Sequence, residues 1–428
     1  MIADNIISTP ASKVSAMAET LIGSEIIKIA GEVNEKIRNG EKIFNLTIGD
    51  FDPKIFPIPF ELQKEIINAY QAGYTNYPAA NGIPELRKAV AEFIDWQQHL
   101  KYSTDEILIG AGARPLIYGV FTTLIDAGDS VIFPVPSWNN NHYCHLTHAK
   151  PIFVETSSEN NFMPSAEDLK PYIADATMIA LCSPLNPTGT IFSKDGLEKI
   201  CRMVLAENKK RQNRKPLYIL YDQIYSALLF GNNQHFDPVT LVPELKEYTI
   251  FIDGISKSLA ATGVRVGWAF GPQQIMDKMR AILSHIGAWA PKAEQFATAS
   301  YLGKQKEVST FLDSFKHDID SRLELFFSGI ISLKKKGLRV DAIPPQAAIY
   351  LTVKLDLMGM KTQDGATLTS SKEVNKYLLD EAKIALVPFY AFGSSDDSVW
   401  YRLSVGTCQT DDIPVALAAL ESALNKLS

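Results

Sequence analysis

The stretch Gly254-Ile255-Ser256-Lys257-Ser258-Leu259-Ala260-Ala261-Thr262-Gly263-Val264-Arg265-Val266-Gly267 decides how the chain is read. The six residues before it, Tyr248 to Asp253, are mostly apolar and predict a short buried strand stopped by Gly254. Lys257 then stands just past a strand end, at the edge where α/β sheets place their chemistry. Ser256 and Ser258 flank it, with Gly and Ala nearby, so its amine has little bulk around it. That suits attack on a carbonyl and a Schiff-base linkage. Arg265, eight residues on, follows Thr262-Gly263 and offers a fixed positive charge with a forked donor set for a phosphate. A solvated lysine and an arginine in an ordinary ion pair fit the same spacing, because exposed lysines are common.

The chain has 428 residues, 46% hydrophobic and 21% charged. This is ordinary globular composition, with length for a large core and for two domains rather than one. A net charge of −6 argues against nucleic acid or an anionic membrane as the main partner. No apolar run approaches the roughly 18 residues of a membrane span. Met1 to Lys13 has no charged segment followed by an apolar one, so no signal peptide is expected. Cys144, Cys182, Cys201 and Cys408 are scattered without a C-x-x-C pair, which reads as reduced thiols in a cytosolic protein. His142, His145 and His148 surround Cys144. On a helix that spacing turns the third ring off the first one's face, and no metal is expected.

Working outward, several buried strands each deliver one polar group at their end. Ile107 to Ile109 leads into Gly110-Ala111-Gly112-Ala113-Arg114-Pro115 and an apolar helix from Leu116 to Ile125. A glycine-rich turn opening a helix presents unpaired N–H groups to an anion, here those of Ala113 and Arg114. A dinucleotide fingerprint would need a glycine where Pro115 stands, which removes the nucleotide-dependent dehydrogenases. Ser130 to Val135 runs on to Trp138, an aromatic at a strand end that suits a core position as well as a ligand. Thr177 to Cys182 is closed by Ser183-Pro184-Leu185-Asn186-Pro187-Thr188-Gly189, a turn in which Asn186 also offers an amide donor. Leu217 to Asp222 ends on a carboxylate, with Tyr225 three residues on; a helix cap would explain Asp222 equally well. With helices between them, among them Ser193 to Asn208 capped by Ser193, these strands predict a parallel, doubly wound sheet whose ends converge on one cleft.

The flanks are less telling. Ile22 to Ile37 predicts a helix after a Ser/Thr/Pro-rich lead, and Ile43 to Ile48 a strand that breaks at Gly49-Asp50. Helices are expected from Phe60 to Ala72 and from Ile83 to Gln98, with the polar loop Tyr74 to Gly82 between them. After Gly267, helices are expected over Gln273 to Ile286 and, as one long element, over Ala293 to Lys336. The loop Gly287 to Pro291 stays unassigned. Strands at Ala348 to Leu355, Ile384 to Pro388 and Val399 to Val405 alternate with helices from Ser371 to Lys383 and from Ile413. Arg402 falls mid-strand among aromatic and apolar neighbours, where an exposed side chain or an ion pair would also account for it.

Taken in order, these strings resemble the class I/II pyridoxal-phosphate aminotransferases of the aspartate aminotransferase superfamily, from about residue 25 to 420. The carriers are G-I-S-K-S-L-A-A-T-G-V-R-V-G, L-T-I-G-D-F-D-P, N-P-T-G, D-Q-I-Y and R-L-S. The resemblance implies fold type I: a large, doubly wound, mostly parallel domain and a smaller α/β domain built from both termini. The expected division is 1–60 arm and part of the small domain, 61–310 large domain and 311–428 small domain. It implies pyridoxal 5′-phosphate held as an aldimine on the catalytic Lys257, with Ala113, Arg114, Ser256 and Arg265 on its phosphate and Trp138 against its ring. Asp222 would face the ring nitrogen, Tyr225 and Asn186 the phenolic oxygen. Gly49, Asn186 and Arg402 would take the substrate carboxylate. Gln223, where the family more often has glutamate, is expected to matter little. Tyr77 would reach the neighbouring site of a cytoplasmic homodimer. The implied reaction is a ping-pong transfer of an amino group to a 2-oxo acid, with a lyase of the same fold, such as a carbon–sulfur β-lyase, as the alternative. No string names the side chain of the donor, and no second arginine for a distal carboxylate is anchored by a motif.

Overall fold

Burial on both faces is what the apolar runs demand, and the larger sheet provides it. The computed structural model describes residues 13–21, 23 and 25–428; the first twelve residues of the N-terminal lead and Ile22 lie outside them. After the two-residue strand β1 (Phe44–Asn45) come β2 (Ile107–Gly110), β3 (Ser130–Val135), β4 (Lys150–Glu155), β5 (Ala176–Cys182), β6 (Tyr218–Asp222), β7 (Thr249–Gly254) and β8 (Gly267–Phe270). Strands β2 to β8 form one sheet in the order β2-β8-β7-β6-β5-β3-β4. All its pairs are parallel except those of β8, which runs against both β2 and β7.

Period-two alternation then splits every strand of this sheet but β4 between two cores. Ile107, Ile109, Ile219, Tyr221, Phe251 and Phe270 enter one, packed with helices Pro84–Gln98, Lys194–Arg211 and Lys292–Leu302. Leu108, Leu220, Ile250, Ile252 and Ala269 enter the other, beneath helices Ala113–Leu124 and Gln273–His285. Truncating a fully buried Ile250 to alanine would cost roughly 2–5 kcal/mol through the cavity it leaves.

A second sheet, built from β9 (Val340–Ala342), β10 (Tyr350–Leu355), β12 (Val387–Pro388) and β13 (Trp400–Ser404), is antiparallel throughout in the order β12-β13-β10-β9. The stretch expected as one strand from Ile384 to Pro388 is split. Its first part, β11 (Ile384–Ala385), pairs parallel with β1, and its second joins β13. Residues 44–48 are thereby bound to the C-terminal part: Ser404 N–H donates to Leu46 O at 2.9 Å, and Ser404 Oγ to Ile48 O at 2.6 Å. The long helix expected from Ala293 to Lys336 is two helices, Lys292–Leu302 and Gln305–Lys335, because Gly303 closes the first and Lys304 leaves helical geometry (φ −94°, ψ 65°). Strands β4 and β8 were not foreseen. The first has four exposed residues among its six, and the second was read only as the tail of the lysine motif.

Candidate active site

The parallel strands all end at one edge of the large sheet. Cys182 pairs with Asp222 across β5 and β6, and Asp222 with Ile252 across β6 and β7. Because β8 is reversed, its start lies at that same edge: Gly267 sits opposite both Gly254 and Gly110. Arg265, two residues ahead of Gly267, therefore reaches the cleft that Lys257 enters from β7. A cavity of about 640 Å³ opens there. It is lined by Gly49, Ala113, Arg114, Trp138, Asn186, Asp222, Tyr225, Ser256, Lys257, Arg265 and Arg402, eleven of the twelve residues singled out from the sequence.

One end of the cleft is built for an anion. Ala113 and Arg114 are the first two residues of the helix Ala113–Leu124, so their N–H groups lack partners within the helix. The turn before it needs glycine: Gly112 has φ +84°, and a Cβ there would come within 2.5 Å of Arg265 Nη2. Arg265 itself adopts the left-handed region (φ +62°), uncommon for a non-glycine residue. Its guanidinium is held by two carbonyls, Thr262 O at 2.8 Å and Ala111 O at 2.7 Å.

Lys257 Nζ donates to Gly49 O at 2.6 Å. Gly49 must be glycine for this approach, since a Cβ would lie 2.8 Å from Tyr350 Oη. Burial is the main cause that brings the Lys257 amine down to about 8. Asp50 pulls the other way, and Arg402, Arg114 and Arg265 add to the depression. Asp222 accepts the N–H of Ile224 at 3.1 Å, and burial pushes its carboxyl up to about 6. A carboxylate so placed gains from a cationic ring brought beside it.

Arg402 is 2% exposed. Its Nη1 donates to Asn186 Oδ1 at 3.0 Å and its Nη2 to Thr47 O at 2.6 Å, while the buried Nε has no partner. Four cationic and two carboxylate side chains line the cavity: Arg114, Lys257, Arg265 and Arg402 against Asp50 and Asp222. None of the four cations has an acidic partner at ion-pair distance among the described residues. The excess charge suits a ligand that brings a phosphate and a carboxylate.

The sequence reading missed Tyr350. It lies on β10, diagonal to Arg402 on β13, because Thr352 is the direct partner of Arg402. Its ring centre is 4.7 Å from the Arg402 guanidinium, and its hydroxyl is 2.6 Å from that of Tyr225. Both phenols are raised by burial; for Tyr225 the neighbouring Tyr350 adds to the shift. A tyrosine inside an apolar strand carries no local signal; only the pairing of β10 with β13 exposes its role. Ile26, Ile27 and Ala30 of the helix Glu25–Arg38 also line the cavity, and they too went unforeseen.

Trp138 lies in the cleft with the Arg114 guanidinium 5.2 Å from its ring. Asn140 lines the cavity as well. Tyr77 is outside it, 81% exposed, with its ring edge-on to Trp289 at 5.1 Å; the unassigned loop Gly287 to Pro291 does not line the cavity, but its Ala288 O accepts the N–H of Ala111 in the glycine turn at 3.0 Å. Among the described residues no cluster of His, Cys, Asp or Glu could hold a metal, and no helix is long and apolar enough to cross a membrane.

Residues 41–420 match the family model for aminotransferase class I and II. An aspartate aminotransferase of Bacillus sp. (strain YM-2) is 32% identical over 379 residues, covering 88% of this chain and 91% of that protein. The crystal structure of the aspartate aminotransferase from Rhizobium meliloti superposes with a TM-score of 0.89 at 26% identity, over 98% of this chain and 100% of the other. The aspartate aminotransferase from Thermus thermophilus with maleate gives 0.85 at 25% identity, over 97% and 100%.

Proposed function

The chain belongs to the class I and II aminotransferases, enzymes that work through pyridoxal 5′-phosphate, and on that premise we propose that it transfers an amino group from an amino acid to a 2-oxo acid in two half-reactions on Lys257. The observation that carries this reading is the cleft itself, where a lysine of lowered basicity stands among three arginines with no acidic partner. Ala113, Arg114, Ser256 and Arg265 hold the cofactor's phosphate, Trp138 packs on its ring, Asn186 and Tyr225 meet its phenolic oxygen, and Asp222 pairs with its ring nitrogen. Bound there, the cofactor supplies an electron sink that makes the substrate's Cα–H acidic.

Arg402 and Asn186 take the α-carboxylate of the amino acid, with the backbone at Gly49 close behind. The Arg402 guanidinium, paired only with the uncharged oxygens of Asn186 and Thr47, keeps a full charge for a carboxylate from outside. Lys257 carries the cofactor between turnovers. Once freed by the substrate's amine, its Nζ would take the proton from the substrate's Cα as base and give it up as acid to the cofactor carbon on the far side of the imine nitrogen. An amine lowered to about 8 keeps a neutral fraction at physiological pH for both tasks. Arg114 adds a second cation at the same cleft without an acidic partner, which favours a donor with a distal carboxylate, as in relatives named for aspartate. Tyr77, exposed beside Trp289, completes the site of a second copy in a homodimer. A cytoplasmic setting fits four cysteines kept as free thiols.

The test is a spectral titration of the cofactor-loaded protein with the twenty amino acids singly. Loss of the visible band with growth of the near-ultraviolet band of the aminated cofactor, for aspartate or glutamate first, is the expected result. Release of pyruvate or ammonia without that conversion would replace the transferase by a lyase.

A further inference from the structure

Gln223, between Asp222 and Ile224, was expected to be of little consequence; its surroundings correct that. It is fully buried, and both ends of its amide are occupied. Nε2 donates to Gln98 Oε1 at 2.9 Å and to Asp253 Oδ2 at 3.2 Å, while Oε1 lies 3.2 Å from His235 Nε2. An amide oxygen only accepts, so His235 carries its proton on Nε2. Burial draws that ring's pKa down to about 4, which keeps it neutral. Asp253, 4% exposed, accepts the N–H of Gly254 at 2.7 Å on Oδ1 and the hydroxyl of Ser226 at 3.4 Å on Oδ2. Burial pushes its carboxyl up to about 7, with Asp222 adding to the rise.

The contact joins two strand ends that both serve the cleft. Gln223 follows Asp222 at the end of β6, and its N–H donates to Ile252 O at 3.0 Å; Asp253 stands four residues before Lys257 on β7. Asp253, Ser226, His235 and Ser258 also line a second cavity of about 540 Å³, so these strand ends form a wall between the two spaces. A glutamate at 223 would set two carboxylates against each other beside Asp222. In a buried site one of them must then take up a proton. The amide instead gives Asp253 a donor and adds no charge.

We propose that Gln223 and Asp253 are a positioning pair that holds the ends of β6 and β7 together and limits the negative charge behind Asp222 to one carboxylate. The inference rests on the cofactor site proposed above, since the pair acts on the reaction only through Asp222 and Lys257. The atoms it fixes are those that meet the cofactor's ring nitrogen and carbonyl carbon.

The test uses cofactor-loaded Gln223→Glu, Asp253→Asn and the double variant, which exchanges amide and acid. The readouts are the pH titration of the bound cofactor's visible band, and kcat and KM separately. Added charge in Gln223→Glu should raise the band's titration midpoint by about one pH unit. It should lower kcat about tenfold with KM little changed, the size typical of an outer-shell partner. The near-isosteric Asp253→Asn, which keeps the fold even where the first variant does not, should lower the midpoint. The double variant should return towards wild type, since contacting residues couple. Variant titrations that superimpose on wild type, or a double variant no closer to wild type than Gln223→Glu, overturn the positioning role alone. A wild-type protein that takes up no pyridoxal 5′-phosphate overturns the cofactor site, and this role with it.

Discussion

Arg211 and Arg402 are both buried, 5% and 2% exposed, yet their surroundings differ in kind. Arg211 closes the helix Lys194–Arg211. Its Nε donates to Glu207 Oε1 at 3.1 Å, its Nη1 to Ala176 O and Lys215 O, and its Nη2 to Ile173 O and Ala174 O. Every nitrogen is used within the chain. Arg402 has two of its three nitrogens engaged, both with uncharged oxygens, and its Nε has no partner. A buried, unpaired charge costs several kcal/mol, so a fold keeps one only where something else holds it in place. Here that is the packing of Tyr350 and Phe392 against the guanidinium, at 4.7 and 5.0 Å. On the proposed function, the difference separates an arginine that stabilises the fold from one kept for a carboxylate from outside.

The sharpest way to break this contrast is at the catalytic side. Lys257→Ala should cut transamination roughly 10⁴-fold or more while leaving the thermal midpoint close to wild type; retained turnover would remove Lys257 from the chemistry. Arg402→Lys should lower kcat/KM for the amino acid about 10²–10³-fold, since a point charge replaces a two-pronged donor. If the same variant instead unfolded like a core mutant, Arg402 would be structural and the contrast would fail. Arg211→Ala should do the opposite, costing roughly 3–5 kcal/mol in denaturant unfolding because Glu207 is left buried and unpaired. Its kcat/KM, measured on folded protein, should match wild type.

Two pH experiments sharpen the picture with smaller effects. Burial raises Asp222 to about 6 from its ordinary 3.8, so its carboxyl favours the fold while protonated, at low pH. The stability of the cofactor-free protein relative to Asp222→Asn should therefore fall by about 2 kcal/mol as pH rises from 4 through 6, then level. A flat difference would mean the carboxyl titrates normally. For Lys257, whose amine is lowered to about 8, the neutral form attacks an aldehyde. Capture of pyridoxal 5′-phosphate by the cofactor-free protein should speed up with pH and level above about 8 rather than above 10. Rates still climbing at pH 10 would show an ordinary, solvated lysine.

How much of this was legible follows from how local each feature is. Lys257, Asn186 and Asp222 each stand at the end of an apolar run, and the rule that parallel strands present their carboxyl ends to a common cleft brings them together before any coordinates exist. Arg265 was legible as a residue but not in its placement, which depends on β8 reversing direction so that its start meets the same edge. Tyr350 was invisible because its hydroxyl contact with Tyr225 spans 125 residues of chain. The surroundings of Gln223 were hidden for a related reason: read alone it is a neutral replacement, and only the approach of Asp253 from the next strand sets its amide against a second carboxylate.

Chain order alone thus carries the alternation of strand and helix, the polar residue that ends each strand and the chemistry those residues share. These follow from periodicity and side-chain type within a few positions. Strand adjacency is a different matter. The order β2-β8-β7-β6-β5-β3-β4, the seam binding residues 44–48 to β11 and β13, and the open donor on Arg402 are settled by how distant apolar surfaces pack. Packing of that kind has no local signature, because each contact gains its energy only when all the others are in place.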